Sequence, residues 1–231
     1  MSSPARFTLE GCLLGARLTV PLMPSIVVFA SAFGAAATQK GLTVWEALAM
    51  SAFVFAGASQ MVGLEVWQST WTLATLVGVT AVTAVINSRM VLMGASIQPW
   101  FAGEPKLRTA AHLFFLTDAN WLLSLRYRAG GGNDIGVLLG SGLALWVVWV
   151  AATLPGYLAG ALVSEPNRFG LDLVMPIFFA AMLVPLWKGQ RALRPWAAAG
   201  AMALLVHAFV PGYAFIVAGA VTGALVGAFS E

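Results

Sequence analysis

Charge is what this chain has least of. Of its 231 residues only 9% are Asp, Glu, Lys or Arg, while 60% are hydrophobic; a soluble domain carries about 25% charged residues. So little charge cannot cover a water-facing surface, and with a mean hydropathy of +0.87 the chain reads as an integral membrane protein. Cysteine is nearly absent too. The single Cys12 allows no intramolecular disulfide and no cysteine-rich metal site, and reads as a small buried apolar residue. Two histidines, His112 and His207, lack catalytic companions, and neither HExxH nor GxSxG occurs. No enzyme, metal or cofactor chemistry is indicated. The basic residues stand singly, so the net charge of +3 marks membrane topology and excludes a nucleic-acid surface. Short alternating segments are missing, which excludes an outer-membrane barrel.

What is there is a succession of apolar runs long enough for helices that cross a hydrocarbon core, about 20 residues each. The fold expected is an all-α polytopic bundle of seven or eight transmembrane spans forming one membrane domain over 1–231. Hydropathy and turn residues place spans near 16–37, 44–67, 70–98, 109–125, 135–163 and 170–187, with a last stretch over 195–229 that is either one broken crossing or two. Trp45, Trp67, Trp71, Trp100, Trp187 and Trp196 fall at span edges, where an amphipathic ring prefers the headgroup level. Ala30-Ser31-Ala32 imitates a signal-peptide cleavage site, but Pro21 and Pro24 interrupt the run and apolar sequence continues to Thr38, so a retained first helix is expected. With the N-terminus in the cytoplasm, that side collects Arg6, Arg17, Arg126, Arg128, Lys188, Arg191 and Arg194, against Lys40, Lys106, Arg108 and Arg168 outside.

A weak repeat pairs the segment opening at Gly41 with that opening at Gly170. It suggests units 9–98 and 135–229 around a central span 109–125, read as an inverted three-span repeat with broken helices, a plan frequent in secondary transporters.

Polar residues inside these runs are the functional signal. Arg89 lies in "AVINSRMV" (84–91) and Asp118 in the next span; counted at 1.5 Å per residue, both sit about 14 Å below one surface. A lone intramembrane charge costs several kcal/mol, so the two are expected to pair, either as a structural pin or beside a substrate path. Asn87, Ser88, Thr117 and Asn120 surround them with neutral donors and acceptors. Gly57, Ala58, Ser59 and Gln60 interrupt the second span, by close packing or by local unwinding. Pro211 and Gly212 break the last stretch, near the level of Asn87 under the repeat alignment. Gly11-x-x-x-Gly15, Gly156-x-x-x-Gly160 and Gly219-x-x-x-Gly223-x-x-x-Gly227 offer flat faces for internal packing or for a homo-oligomer.

"MSAFVFAGASQ" (50–60), "INSRMVLMGASIQPW" (86–100) and "FFLTDAN" (114–120), in this order and spacing, resemble the AzlC family of branched-chain amino acid permeases, over essentially the whole chain. The resemblance implies a bacterial inner-membrane exporter of branched-chain amino acids working with a small AzlD-type membrane protein. The family's polar motif residues correspond to Gly57, Ser59, Gln60, Asn87, Arg89, Thr117 and Asp118, with Asp118 the coupling residue to test. Two positions depart from the family. Met90 stands where a histidine is common and Ala119 where an acidic residue is common, which removes titratable groups beside the expected pair. The rival classes are a non-transporting subunit of a larger complex and a channel, though no filter repeat or charged ring is present.

Overall fold

The first helix starts at Leu9, ahead of the hydropathy edge near residue 16, because Thr8 caps it. In the computed structural model, which describes residues 6–67, 72–162, 180, 189–190, 193–211 and 214–229, the Thr8 hydroxyl accepts from the Gly11 N–H and Glu10 occupies the first turn of α1 (Leu9–Thr19). A carboxylate there complements the helix dipole. A 3-10 turn at Val20–Leu22 takes up Pro21, and α2 (Met23–Gln39) continues with Pro24 in its first turn, where a missing N–H leaves no bond unmade. The chain then forms α3 (Val44–Phe53), α4 (Gly57–Glu65), α5 (Leu73–Ile97), a 3-10 turn at Gln98–Phe101, α6 (Lys106–Phe114), α7 (Asp118–Ala129), α8 (Gly136–Leu162), α9 (Leu193–Phe209) and α10 (Ala214–Ala228). Every helix or strand element among the described residues is helical, as the composition requires. Three stretches, Leu9–Gln39, Leu73–Phe101 and Gly136–Leu162, are long and apolar enough to cross a membrane. The expected span 170–187 and its Gly170-Leu171-Asp172 opening lie outside the described residues.

The chain divides into two compact units, residues 1–60 with 88–164, and residues 61–87 with 165–231. The first is organised by α8, against which α1 and α2 lie in parallel. Gly11 and Gly15 face Asp134 and Val137 at one end, while Gly34 and Ala35 face Thr153 and Gly160 at the other, so residue numbers rise together along both helices. Glycine permits this approach: a Cβ on Gly156 would stand 2.1 Å from the Ser31 carbonyl oxygen, and one on Gly140 would stand 1.9 Å from that of Cys12. The glycine faces Gly11-Gly15 and Gly156-Gly160 are therefore internal seams. Parallel helices also correct the expectation of an inverted repeat relating the spans 16–37 and 135–163. Four spans separate their starts, an even number that returns the chain to the same side.

The second correction concerns the spans 44–67 and 109–125, neither of which forms a continuous helix. The end of the unit where α1 and α8 begin holds the Arg6 and Ile135 backbones paired at 2.8 Å. It also holds both ends of the α6–α7 pair. Phe7 lies edge-on to His112 of α6 at 5.8 Å and under the Arg108 guanidinium at 5.6 Å. Trp100, after α5, meets Tyr127 of α7 at 6.3 Å and the Arg128 guanidinium at 5.4 Å. Helices α6 and α7 thus enter and leave by one end, with their break at 115–117 in the interior. Lys106 and Arg108 consequently share an end with Arg6, Arg126 and Arg128 instead of lying opposite them. Trp100 is 1% exposed, a core residue of a cluster with Met93, Ile97, Phe101, Leu116, Ile135 and Leu138, and not part of an interfacial belt.

At the other end Tyr157 Oη donates to the Leu42 carbonyl at 2.8 Å and Gln39 Nε2 to that of Gly160 at 2.8 Å. Helix α3 starts there on a Thr43–Glu46 capping box, penetrates to the level of Trp146, and breaks at 54–56, where Phe55 takes a left-handed φ of 42°. From the break α4 turns back, since Gln60 Nε2 reaches Ser51 Oγ at 3.5 Å, whereas a helix continued straight from Ser51 would carry residue 60 about 13 Å further on. Two short helical hairpins therefore enter the first unit from opposite ends.

In the second unit, α9 and α10 pack antiparallel. Gly219 faces Ala199 and Ala203, Gly223 faces Ala199 and Pro195, and Gly227 faces Pro195. The stretch 195–229 is thus a hairpin and not one broken crossing, with exposed Pro211 in the turn between the helices; Gly212 lies outside the described residues. Helix α5 runs unbroken through Asn87, so no break matches Pro211 there. Among the described residues, the interior breaks are those at 54–56 and 115–117.

Candidate functional site

Both breaks rest on one stripe of α8. Leu138, Gly142, Trp146, Trp149 and Thr153 follow at intervals of three and four residues, which is one helix face. The α6–α7 break occupies the first part of the stripe. Thr117 is the N-cap of α7: its N–H donates to Asn120 Oδ1 at 2.6 Å and its hydroxyl accepts from the Asn120 N–H at 3.4 Å. Asn120, fully buried, spends its Nδ2 on the carbonyls of Phe115 at 2.8 Å and Leu138 at 3.3 Å. Gly142 leaves room for this staple, since a Cβ there would lie 2.7 Å from that Nδ2. The interior polar groups of the break are thereby paired, as a low dielectric demands.

Asp118 opens α7 immediately after that cap. Arg89 Nη1 donates to Asp118 Oδ1 at 2.8 Å, so the pairing expected from depth counting is formed. Arg89 lies 11 residues before Trp100 and Asp118 lies 11 before Ala129, which puts both about 16 Å inside the same end. Their side chains are 30% and 53% exposed, while the Arg89 Nε is buried and without a hydrogen-bond partner. The carboxylate also sits at the positive end of the α7 dipole. Trp121 Nε1 donates to Ser96 Oγ at 2.9 Å, tying α7 to α5. Met90 packs partly buried against the cluster around Met93 and Ile97, so it joins the apolar support beneath the pair. Asn87, two residues before Arg89 on α5, falls in the second unit.

The α3–α4 break occupies the rest of the stripe and is neutral. Gly57 starts α4 against the rings of Phe29 and Trp149, which a Cβ would meet at 2.8 and 2.9 Å; it is close-packed as well as unwound from α3. Ser59 and Gln60 are 2% and 0% exposed. Ser51 Oγ and Thr153 Oγ1 are hydrogen-bonded at 2.8 Å, and Thr153 Oγ1 donates to the Trp149 carbonyl at 2.9 Å. Gln60 Oε1 is buried without a partner. Trp146 joins the two breaks: its Nε1 donates to the Ala52 carbonyl at 2.9 Å and its ring lies edge-on to Phe115 at 6.0 Å. Sequence reasoning missed Ser51, Trp146, Trp149 and Thr153. Their signal was the spacing of 146, 149 and 153 within an otherwise apolar helix, together with Trp indoles that need partners when buried.

A family model described as AzlC protein matches residues 21–163, which holds both breaks and all of the α8 stripe. An uncharacterized membrane protein of Archaeoglobus fulgidus is 29% identical over 214 residues, covering 89% of each chain. An uncharacterized membrane protein of Helicobacter pylori is 26% identical over 172 residues, covering 74% of this chain and 73% of its own. No solved structure matches.

Proposed function

The chain belongs to the AzlC family of membrane proteins, and from that premise we propose that it is the large subunit of a secondary transporter. It exports branched-chain or related hydrophobic amino acids across the bacterial inner membrane by alternating access, together with a small AzlD-type membrane protein. The observation that carries this reading is the meeting of two interior helix breaks on one face of α8, one of them bearing the Arg89–Asp118 pair. Broken helices buried in protein at membrane depth are a recurrent device for binding small polar groups in transporters. An amino acid zwitterion would exchange into the half-exposed pair, its carboxylate on Arg89 and its ammonium on Asp118, while apolar walls take the aliphatic side chain. Thr117 holds Asp118 in place from the cap, Gly57, Ser59 and Gln60 supply the second break, and Asn87 is the further polar residue of the Arg89 motif in the sequence. Asp118 is the candidate for coupling the cycle to an ion gradient, because its pairing with Arg89 must loosen in one state for the substrate to leave.

The shared end of Arg6, Lys106, Arg108, Arg126 and Arg128 supports a cytoplasmic N-terminus more strongly than did the tally that split them. Proteoliposomes containing the chain and its partner test the proposal: efflux of valine, leucine, isoleucine or methionine is expected, and Arg89→Ala and Asp118→Ala should each lower it about tenfold or more, ~1.4 kcal/mol per factor of ten. Flux unchanged in both variants would remove the pair from the path.

A further inference from the structure

At the α3–α4 break a chain of hydrogen-bonded side chains leaves acceptor oxygens free. Gln60 Nε2 donates to Ser51 Oγ at 3.5 Å, the two hydroxyls of Ser51 and Thr153 share a bond of 2.8 Å, and Thr153 passes its proton to the Trp149 carbonyl at 2.9 Å. In that order each hydroxyl gives its one proton away and keeps a lone pair, and Gln60 Oε1 keeps both of its own. All three side chains are 0% exposed, and that Oε1 has no hydrogen-bond partner. A buried acceptor left bare is destabilising, so something electropositive belongs there. Ser51 stands in the last turn of α3, the negative end of its dipole, where the break also removes the helical partners of the final carbonyls.

We propose that the Ser51, Gln60 and Thr153 oxygens at the α3–α4 break form a sodium-ion site. The donor set is hard and neutral. Among the described residues no group of three acidic, histidine or cysteine side chains could hold a metal, and a set without carboxylates does not offset the dehydration of Ca²⁺ or Mg²⁺. A monovalent ion needs less, and unwound backbone with hydroxyl oxygens is how transporter helix breaks hold Na⁺. The inference rests on the transport reading only for its use: with titratable groups missing at Met90 and Ala119, a sodium gradient would supply coupling, and Gln60 would serve the ion instead of the amino acid.

The purified full-length chain in detergent, titrated with NaCl at constant ionic strength against KCl and choline chloride, tests the site. Trp146 and Trp149 flank it and report by fluorescence; thermal stability is read in parallel. Sodium should give a saturable spectral change and a raised melting temperature, with potassium at least about tenfold weaker. Thr153→Val should abolish the response and Thr153→Ser should keep it. Equal responses to all three salts, or none, would overturn the site. If Thr153→Val does not fold, direct binding of radioactive ²²Na⁺ to the unaltered chain decides. Amino acid efflux without sodium binding would defeat this inference and leave the transporter standing. Sodium binding without efflux would do the reverse.

Discussion

The two hairpins solve the same problem with opposite chemistry. Each brings a helix break into the interior of the first unit and sets it against the α8 stripe. The α3–α4 break is sealed and neutral, with Ser51 and Gln60 wholly buried. The α6–α7 break carries Asp118, which pairs with Arg89 of α5 and is left 53% exposed. An ion pair that the rest of the chain leaves half-exposed has room beside it for a further charged group. Its position at membrane depth then points to use, and its fixed geometry comes from the Thr117–Asn120 cap behind it. The neutral break shows the converse: its polar groups are locked by packing and bear on what else the protein binds.

The comparison collapses if α8 is moved, and that is the largest expected effect. Gly156→Leu would drive a side chain into the Ser31 carbonyl, a backbone group that cannot yield, and overpacking of this kind belongs with the exceptional losses above about 4 kcal/mol. Folded, monodisperse protein should disappear on size exclusion. Next comes the cap. Asn120→Ala strands the Phe115 carbonyl and the Thr117 N–H in the interior, while the Leu138 carbonyl keeps the Ser141 hydroxyl, a cost of about 2 kcal/mol, whereas Ser51→Ala on the neutral hairpin should cost only about 1 kcal/mol. Denaturation midpoints of the two variants in one detergent rank the hairpins directly; equal losses would erase the distinction. Access separates them as well. On a Cys12→Ala background, Asp118→Cys should react with a water-soluble thiol reagent about tenfold faster than Gln60→Cys, because burial protects until local opening occurs.

Much of this was legible beforehand, and the exceptions share one cause. Membrane class, helical content and the Arg89–Asp118 pair follow from composition and from the fixed rise of a helix, which needs no tertiary information. Direction does need it. A hydropathy window sums Lys106–Phe114 and Asp118–Ala129 into one span because both halves are similarly polar, and nothing in the sum records that the chain turns back between them. The T-x-x-N pattern at Thr117 and Asn120 was visible, but it resembled a polar ligand shell; only the bonds to Phe115 and Leu138 show it to be a cap and staple. Lys106 and Arg108 were assigned to the wrong side for the same reason, since a hairpin counted as a crossing inverts the side of its first half. The α8 stripe escaped because tryptophan in an apolar helix reads as core until its indole N–H is found on a broken helix's carbonyl.

The smallest effect sharpens the contrast most, because it concerns charge at the open hairpin alone. Met90 packs against Met93 and Ile97, and Met90→His restores the side chain common in the family at a cost of about 1 kcal/mol for the partly buried apolar contact. The new imidazole would enter the apolar cluster around Met93 and Ile97, and burial disfavours its charged form, so it would charge only below its ordinary value of about 6.5. If the pair lies on the transport path, efflux by Met90→His should gain a pH dependence on the acid side of neutrality beyond that of the parent chain, with the parent's rate recovered as pH rises and the imidazole becomes neutral. A pH profile identical to the parent's would place residue 90, and with it the departure from the family, outside the machinery of coupling.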